Sequence, residues 1–265
     1  MPVYLKTGPE IDLMRASCAK LAQVFDALEK MIRPGISTKE IDQEGERLIR
    51  SLGGVPNFLH YEGYPASICV SVNEEVVHGI PDRGRILKEG DIVSLDAGMV
   101  YKGWHSDAAR TYAVGKISEE DEALIEAAEE SFFEGLAFAR PGCTLYQISA
   151  AIGNWAEARG YGVIRDLAGH GIGRSLHEDP MIPNFAQETK GILLVPGMTL
   201  AIEPMLAAGT REVEWKDDGW TVVTADGRKA SHYENTVLIT ESDPEILTLP
   251  GGRKGKGPGR EAAAE

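Results

Sequence analysis

Apolar residues recur at Leu21, Phe25, Leu28 and Ile32, the three-and-four spacing of a helix that buries one face. Pro34-Gly35 closes the run, so the pattern predicts a helix over residues 11–32. A second helix starts at once. Ser37 with Glu40 three residues on matches a capping box, in which each side chain satisfies a free backbone amide at the helix start, and Gly53-Gly54 ends the segment. The same grammar returns later: a helix from residues 118–121 to Ala139, a stop at Pro141-Gly142, a box made by Thr144 and Gln147, and a closure at Gly160. Behind each helix pair the pattern turns strand-like, over 67–72, 91–100 and 104–114 in the first half and over 200–207, 220–224 and 231–240 in the second.

The two halves also match residue by residue. Arg33-Pro34-Gly35-Ile36-Ser37, followed by Glu40-Ile41, returns as Arg140-Pro141-Gly142-Cys143-Thr144, followed by Gln147-Ile148. At the same offset, the run from Leu87 to Asp96 aligns with the run from Leu194 to Glu203. The expectation is one α+β domain over residues 1–250, a duplicated, pseudo-two-fold fold with an antiparallel sheet covered by helices, its halves about 10–115 and 116–248.

The duplication places an acid at one position of each copy, Asp96 and Glu203. A tight turn around Lys102-Gly103 would pair Val100 with His105, Gly98 with Asp107 and Asp96 with Ala109. Residues two apart on a strand share a face and paired residues point the same way, so Asp107 joins Asp96 on one face, roughly 7 to 8 Å away along the diagonal. Two like charges so close invite a cation. Glu234, in His232-Tyr233-Glu234-Asn235-Thr236, stands in a late strand of the second half as Asp107 does in the first, and His170 in Gly169-His170-Gly171-Ile172-Gly173 is the nitrogen donor. Any one such acid reads as a solvent-facing charge. Four of them flanked by apolar strand residues, two related by an internal repeat, read as a dinuclear site for borderline divalent metals.

Composition narrows the setting. A net charge of -14 over 265 residues opposes attraction to phosphate backbones and anionic lipid, and excludes specific nucleic-acid binding from the expectations. Three widely spaced cysteines, Cys18, Cys69 and Cys143, make no disulfide framework and suit the cytoplasm. No secretory leader pattern and no run of about 18 apolar residues is present, so no membrane association is expected. Residues 251–265 begin with a basic, Gly- and Pro-rich stretch and read as a disordered tail. A ribosomal contact through its charge is the only nucleic-acid partner it suggests.

Asp96 and Asp107, Gly-His170-Gly-Ile-Gly, His177-Glu178-Asp179-Pro180, Met198-Thr199-Leu200-Ala201-Ile202-Glu203-Pro204 and Tyr233-Glu234-Asn235-Thr236 together resemble the methionine aminopeptidases of type I. The resemblance runs in order over roughly residues 8–248 and leaves no room for the insertion of type II between Glu203 and Glu234. It implies the duplicated "pita-bread" fold in its short bacterial-style form. It also implies two divalent ions, cobalt, manganese, iron or zinc, on Asp96, Asp107, His170, Glu203 and Glu234, bridged by a hydroxide nucleophile. Asp96 and Glu234 would bridge or chelate, and Glu203 would also shuttle the water proton. His177 would stabilise the tetrahedral oxygen and His78 would contact the peptide nitrogen beyond the scissile bond. Phe58, Tyr61, Tyr64, Cys69, Leu176 and Trp220 match the methionine pocket, Leu176 standing where some relatives have phenylalanine. Asn73 and Ser231 match a monovalent-cation site. The implied substrate is a nascent chain with methionine before a small residue, and the implied state is a monomer.

Three rivals remain on the sequence. A prolidase or X-Pro aminopeptidase shares the fold but usually carries a large extra N-terminal domain. A noncatalytic binding relative typically loses ligands. A mononuclear iron oxygenase needs two histidines and one carboxylate, the reverse of the ratio here.

Overall fold

The computed structural model describes residues 3–249; the basic tail, and with it the ribosomal contact, lies outside the described residues. Four helices cover the sheets: α1 (Gly8–Glu29), α2 (Thr38–Ser51), α3 (Glu119–Leu136) and α4 (Leu145–Glu157). The expected capping boxes form at Ser37/Glu40 and Thr144/Gln147, and Ser118 accepts from the amide of Asp121. Each orphan amide so satisfied is worth about 1 kcal/mol of helix stability.

The main sheet has nine strands. Its long central hairpin pairs Ile92–Tyr101 with Trp104–Ala113 in the register inferred from the turn: Val100 with His105, Gly98 with Asp107, Asp96 with Ala109. Glu234–Leu238 continues the sheet, then Thr199–Ile202, Ala168–Gly171 and Glu178–Pro183, with Glu245–Ile246 paired to Glu234–Leu238, while Val55–Pro56 and Cys69–Val72 flank the hairpin on its other side. All of these pairings are antiparallel. Two three-stranded sheets lie beside it, one of Gly162–Val163, Met205–Ala207 and Ala230–His232, the other of Glu75–Val77, Val213–Trp215 and Val222–Thr224.

The repeat is visible in the backbone. Leu87 donates to the carbonyl of Ile36 at 2.8 Å, and their counterparts, Leu194 and Cys143, repeat the bond at 2.9 Å. Ser37 bridges Ile86 as Thr144 bridges Leu193. Each half has its own apolar cluster, with Leu21, Leu28, Ile41 and Leu95 in one and Phe132, Ile148, Leu200 and Val237 in the other. A third cluster spans the seam and includes Met14, Cys18, Tyr64, Trp104, Ile172 and Leu176.

Two expected strands are broken. The run over 200–207 leaves the main sheet at Glu203-Pro204, and the run over 231–240 is interrupted at Tyr233. Pro204 has no amide for a ladder, and the amide of Tyr233 turns to the Pro204 carbonyl at 3.2 Å. The breaks face each other, so Glu203 and Glu234 sit at a corner between sheets. The first expected strand begins later than 67, at Cys69, because the amides of Ser67 and Ile68 are taken by the buried Asp42 carboxylate at 2.8 and 3.0 Å.

Candidate metal centre

Asp96 and Asp107 enter from the central hairpin, Glu234 from the neighbouring strand, Glu203 from the end of Thr199–Ile202, and His170 from Ala168–Gly171. Close strand packing at His170 requires its flanking glycines: a Cβ on Gly169 would stand 2.4 Å from the Ala201 carbonyl, and one on Gly171 2.2 Å from that of Asp179. Ligand atoms of Asp107, His170 and Glu234 lie within 4.8 Å of one another. The His170 Nε2 atom is 3.9 Å from Asp107 Oδ2 and 3.7 Å from Glu203 Oε1.

The surroundings hold these groups from behind. Thr236 Oγ1 donates to the Asp107 carbonyl at 2.8 Å and accepts its amide at 3.1 Å, tying the first half to the second. Asn184 Nδ2 donates to the Glu203 carbonyl at 2.9 Å. Arg110 donates to the carbonyls of Glu234 and Ala109, and its guanidinium lies over the Tyr233 ring at 4.4 Å. It meets the backbone of Glu234, not the carboxylate.

The electrostatics call for a cation. Burial pushes the Asp96 carboxyl up from 3.8 to about 7, and burial with the neighbouring acids holds Asp107, Glu203 and Glu234 well above the ordinary carboxylate range. Among the described residues no lysine or arginine lines the cavity they face. Asp96 Oδ1 and Glu234 Oε1 are buried without a hydrogen-bond partner among the described residues. Burial, and then the nearby His177, lower His170 to about 4. Its Nδ1 is 2.8 Å from the Gly171 carbonyl, which assigns the proton to Nδ1 and leaves the Nε2 lone pair facing the acids. Orphaned carboxylate oxygens, crowded acids and a neutral, oriented imidazole fit divalent metal.

The same cavity, of about 180 Å³, is lined at its other end by Phe58, Tyr61, Tyr64, Cys69, Leu176 and Trp220. Tyr64 meets Trp220 edge to face at 5.1 Å and donates to the Gly79 carbonyl at 2.9 Å, which anchors the segment bearing His78. His78, at φ 59, stands against Trp220 with ring centres 6.3 Å apart. The His177 Nδ1 is 2.8 Å from the Tyr61 hydroxyl, and its ring lies 4.4 Å from that of His170. Burial keeps both His78 and His177 below their ordinary range and therefore neutral at pH 7.

The structure thus brings every candidate metal, catalytic and pocket residue around one cavity. Asn73 and Ser231 lie apart from it. The Asn73 side chain bonds the Ile92 amide and Asp91, its carbonyl accepts from Ala230, and Ser231 Oγ bonds Thr111. Two residues close to the acids escaped the sequence reading. Glu62 sits in a short turn with no periodicity to flag it. His232, fully buried, has its Nε2 3.6 Å from Glu203 Oε2 and neither ring nitrogen hydrogen-bonded among the described residues. Its spacing of two from Glu234 in the expected 231–240 strand was the available signal, although the structure breaks that run at Tyr233. His232 lines a second cavity, of about 360 Å³, that shares Asp96, His170 and Glu203 with the first.

The model of metallopeptidase family M24 matches residues 12–241, and the chain belongs to that family of hydrolases. It is 50% identical over 246 residues to methionine aminopeptidase 1 of Bacillus subtilis, covering 93% of this chain and 99% of that one. The crystal structure of methionine aminopeptidase from Thermotoga maritima superimposes with a TM-score of 0.92 at 43% identity, over 94% of this chain and all of that one. Prolidase from Pyrococcus furiosus shares the fold at a TM-score of 0.73 and 24% identity, but only 65% of it is covered. Within the family the chain belongs with the bacterial, type I methionine aminopeptidases.

Proposed function

We propose that the chain removes the N-terminal methionine of nascent polypeptides, hydrolysing the first peptide bond at a dinuclear centre held by Asp96, Asp107, His170, Glu203 and Glu234. One observation carries this reading: a single cavity joins a crowd of uncompensated acids and a neutral imidazole to a slot of aromatic, aliphatic and thiol groups. Such a slot suits an unbranched thioether side chain. Divalent ions bound there supply a hydroxide nucleophile at neutral pH and polarise the scissile carbonyl.

The chain's own residues do the rest. Glu203, beside His170 and His232, is placed to take the proton released on attack and return it to the departing amine. His177 is oriented by Tyr61 through Nδ1, so its Nε2 is free to donate to the carbonyl oxygen as negative charge develops. His78, backed by Trp220, is placed to contact the peptide nitrogen beyond the scissile bond. Leu176, only 4% exposed, closes the slot with an aliphatic branch and sets its width. The cysteines of the described residues are all free, which supports a reducing, cytoplasmic setting. We assign a monomer and leave manganese, iron, cobalt and zinc as the candidate ions, since this oxygen-rich donor set accepts all four.

The test is hydrolysis by metal-reconstituted protein of Met-Ala-Ser, Met-Gly and Ala-Pro peptides. Cleavage of the methionyl peptides with Ala-Pro untouched is expected. Preferential cleavage of Ala-Pro would instead establish an X-Pro peptidase of the same fold.

A further inference from the structure

Lys6 is a buried lysine outside the cavity, 6% exposed, on the extended segment that precedes α1. Burying an ammonium is costly unless it is paired and hydrogen-bonded. Its Nζ donates to Glu178 Oε2 at 2.7 Å and to the Tyr4 carbonyl at 3.2 Å. The other oxygen of the same carboxylate, Oε1, accepts the amides of Arg174 at 2.7 Å and Ser175 at 3.2 Å. Glu178 thereby closes the turn that carries Leu176 and His177, and Lys6 holds Glu178.

The pair is seated tightly. A Cβ on Gly173 would stand 2.5 Å from Lys6 Cε and 2.8 Å from Glu178 Oε1. The strap is anchored at both ends: the Lys6 amide donates to the Gly197 carbonyl at 2.8 Å, and Glu10 of α1 bonds Arg174 of the turn at 3.0 Å. The His177 ring has one hydrogen bond among the described residues, to Tyr61. Its backbone position is set by its neighbour Glu178.

We propose that Lys6 is a positioning residue for the reaction: the N-terminal strap, through the buried Lys6–Glu178 pair, fixes the 173–178 turn so that His177 meets the substrate carbonyl. This inference rests on the role given to His177 above. Lys6 touches no substrate, so removing it displaces His177 and leaves the metal ligands in place. A displacement of about 1 Å at a catalytic group can cost up to about 100-fold.

The experiment is a double-mutant cycle on the full-length, metal-loaded protein with Lys6→Met and His177→Ala, reading kcat on Met-Ala-Ser. Lys6→Met alone lowers kcat about tenfold or more, with the metal content unchanged. In the His177→Ala background the same change costs less than about twofold, because the group it positions is gone. An equal loss in both backgrounds means general structural damage and overturns the proposal, as does full activity of Lys6→Met. Should Lys6→Met fail to fold, Gly173→Ala displaces the same pair from the other side and enters the same cycle. Wild-type turnover reads the parent hypothesis separately. If wild type cleaves no methionyl peptide, hydrogen exchange decides the strap: faster exchange over 172–178 in Lys6→Met, with the central hairpin unchanged, supports it, and no change overturns it.

Discussion

Asp96→Asn gives the sharpest reading of the acid cluster in the metal-free protein. Burial raises the Asp96 carboxyl from 3.8 to about 7. A group raised on folding contributes stability in full below its unfolded pKa and loses it as pH rises through the folded value. At 1.36 kcal/mol per unit, Asp96 alone takes about 2 kcal/mol from the apo protein between about pH 5.5 and pH 8. Asparagine has no proton to lose. The neighbouring histidines, depressed by burial, titrate in both proteins and largely cancel in the comparison. Asp107 and Glu203, partly raised by the Asp96 charge, relax in the variant and move the result the same way. Urea denaturation of wild type and Asp96→Asn, both stripped with chelator, should therefore show the variant gaining about 2 kcal/mol or more on wild type from pH 5.5 to pH 8, roughly 4 to 8 °C in melting temperature. With metal restored the order should reverse, since the variant lacks a ligand. A stability difference that stays constant with pH, or that moves against the variant at pH 8, would refute the claim that Asp96 is an uncompensated buried acid.

Three further outcomes follow from the geometry. His177→Ala should lower kcat about 100-fold while calorimetry finds the metal affinity unchanged; unchanged kcat would remove His177 from the chemistry. Tyr61→Phe, which loses only the bond to His177 Nδ1, should cost about five- to tenfold in kcat, the worth of one hydrogen bond, and a loss confined to KM would show that Tyr61 serves the slot alone. Leu95→Ala, at a fully buried hairpin position beside Asp96, should destabilise the fold by about 2–5 kcal/mol in chemical denaturation, and a cost below about 1 kcal/mol would argue against close packing there.

What could be read from the sequence was whatever is periodic or repeated. The hairpin register was deducible because Lys102-Gly103 leaves one short turn and a one-residue slip would turn Asp107 away from Asp96. The helix starts were deducible because a capping box is local chemistry. What escaped depends on tertiary partners. The strand bearing His170 is built from Ala168, Gly169, His170 and Gly171, which have little strand propensity and are held there by pairing on both sides. The corner at Pro204 and Tyr233 forms only when the two breaks meet, and it is this corner that turns Glu203 toward His232. Lys6 reads as an ordinary surface lysine until the fold brings Glu178 to it from far along the chain.

On the proposed function, two ions bind among Asp96, Asp107, His170, Glu203 and Glu234. Elemental analysis of protein reconstituted with manganese and freed of excess, taken beside its turnover of Met-Ala-Ser, tests it directly. Two ions per chain are predicted, with Glu234→Ala losing both tight binding and turnover. No tightly held ion, or full occupancy and turnover in Glu234→Ala, would rule out the proposed dinuclear centre.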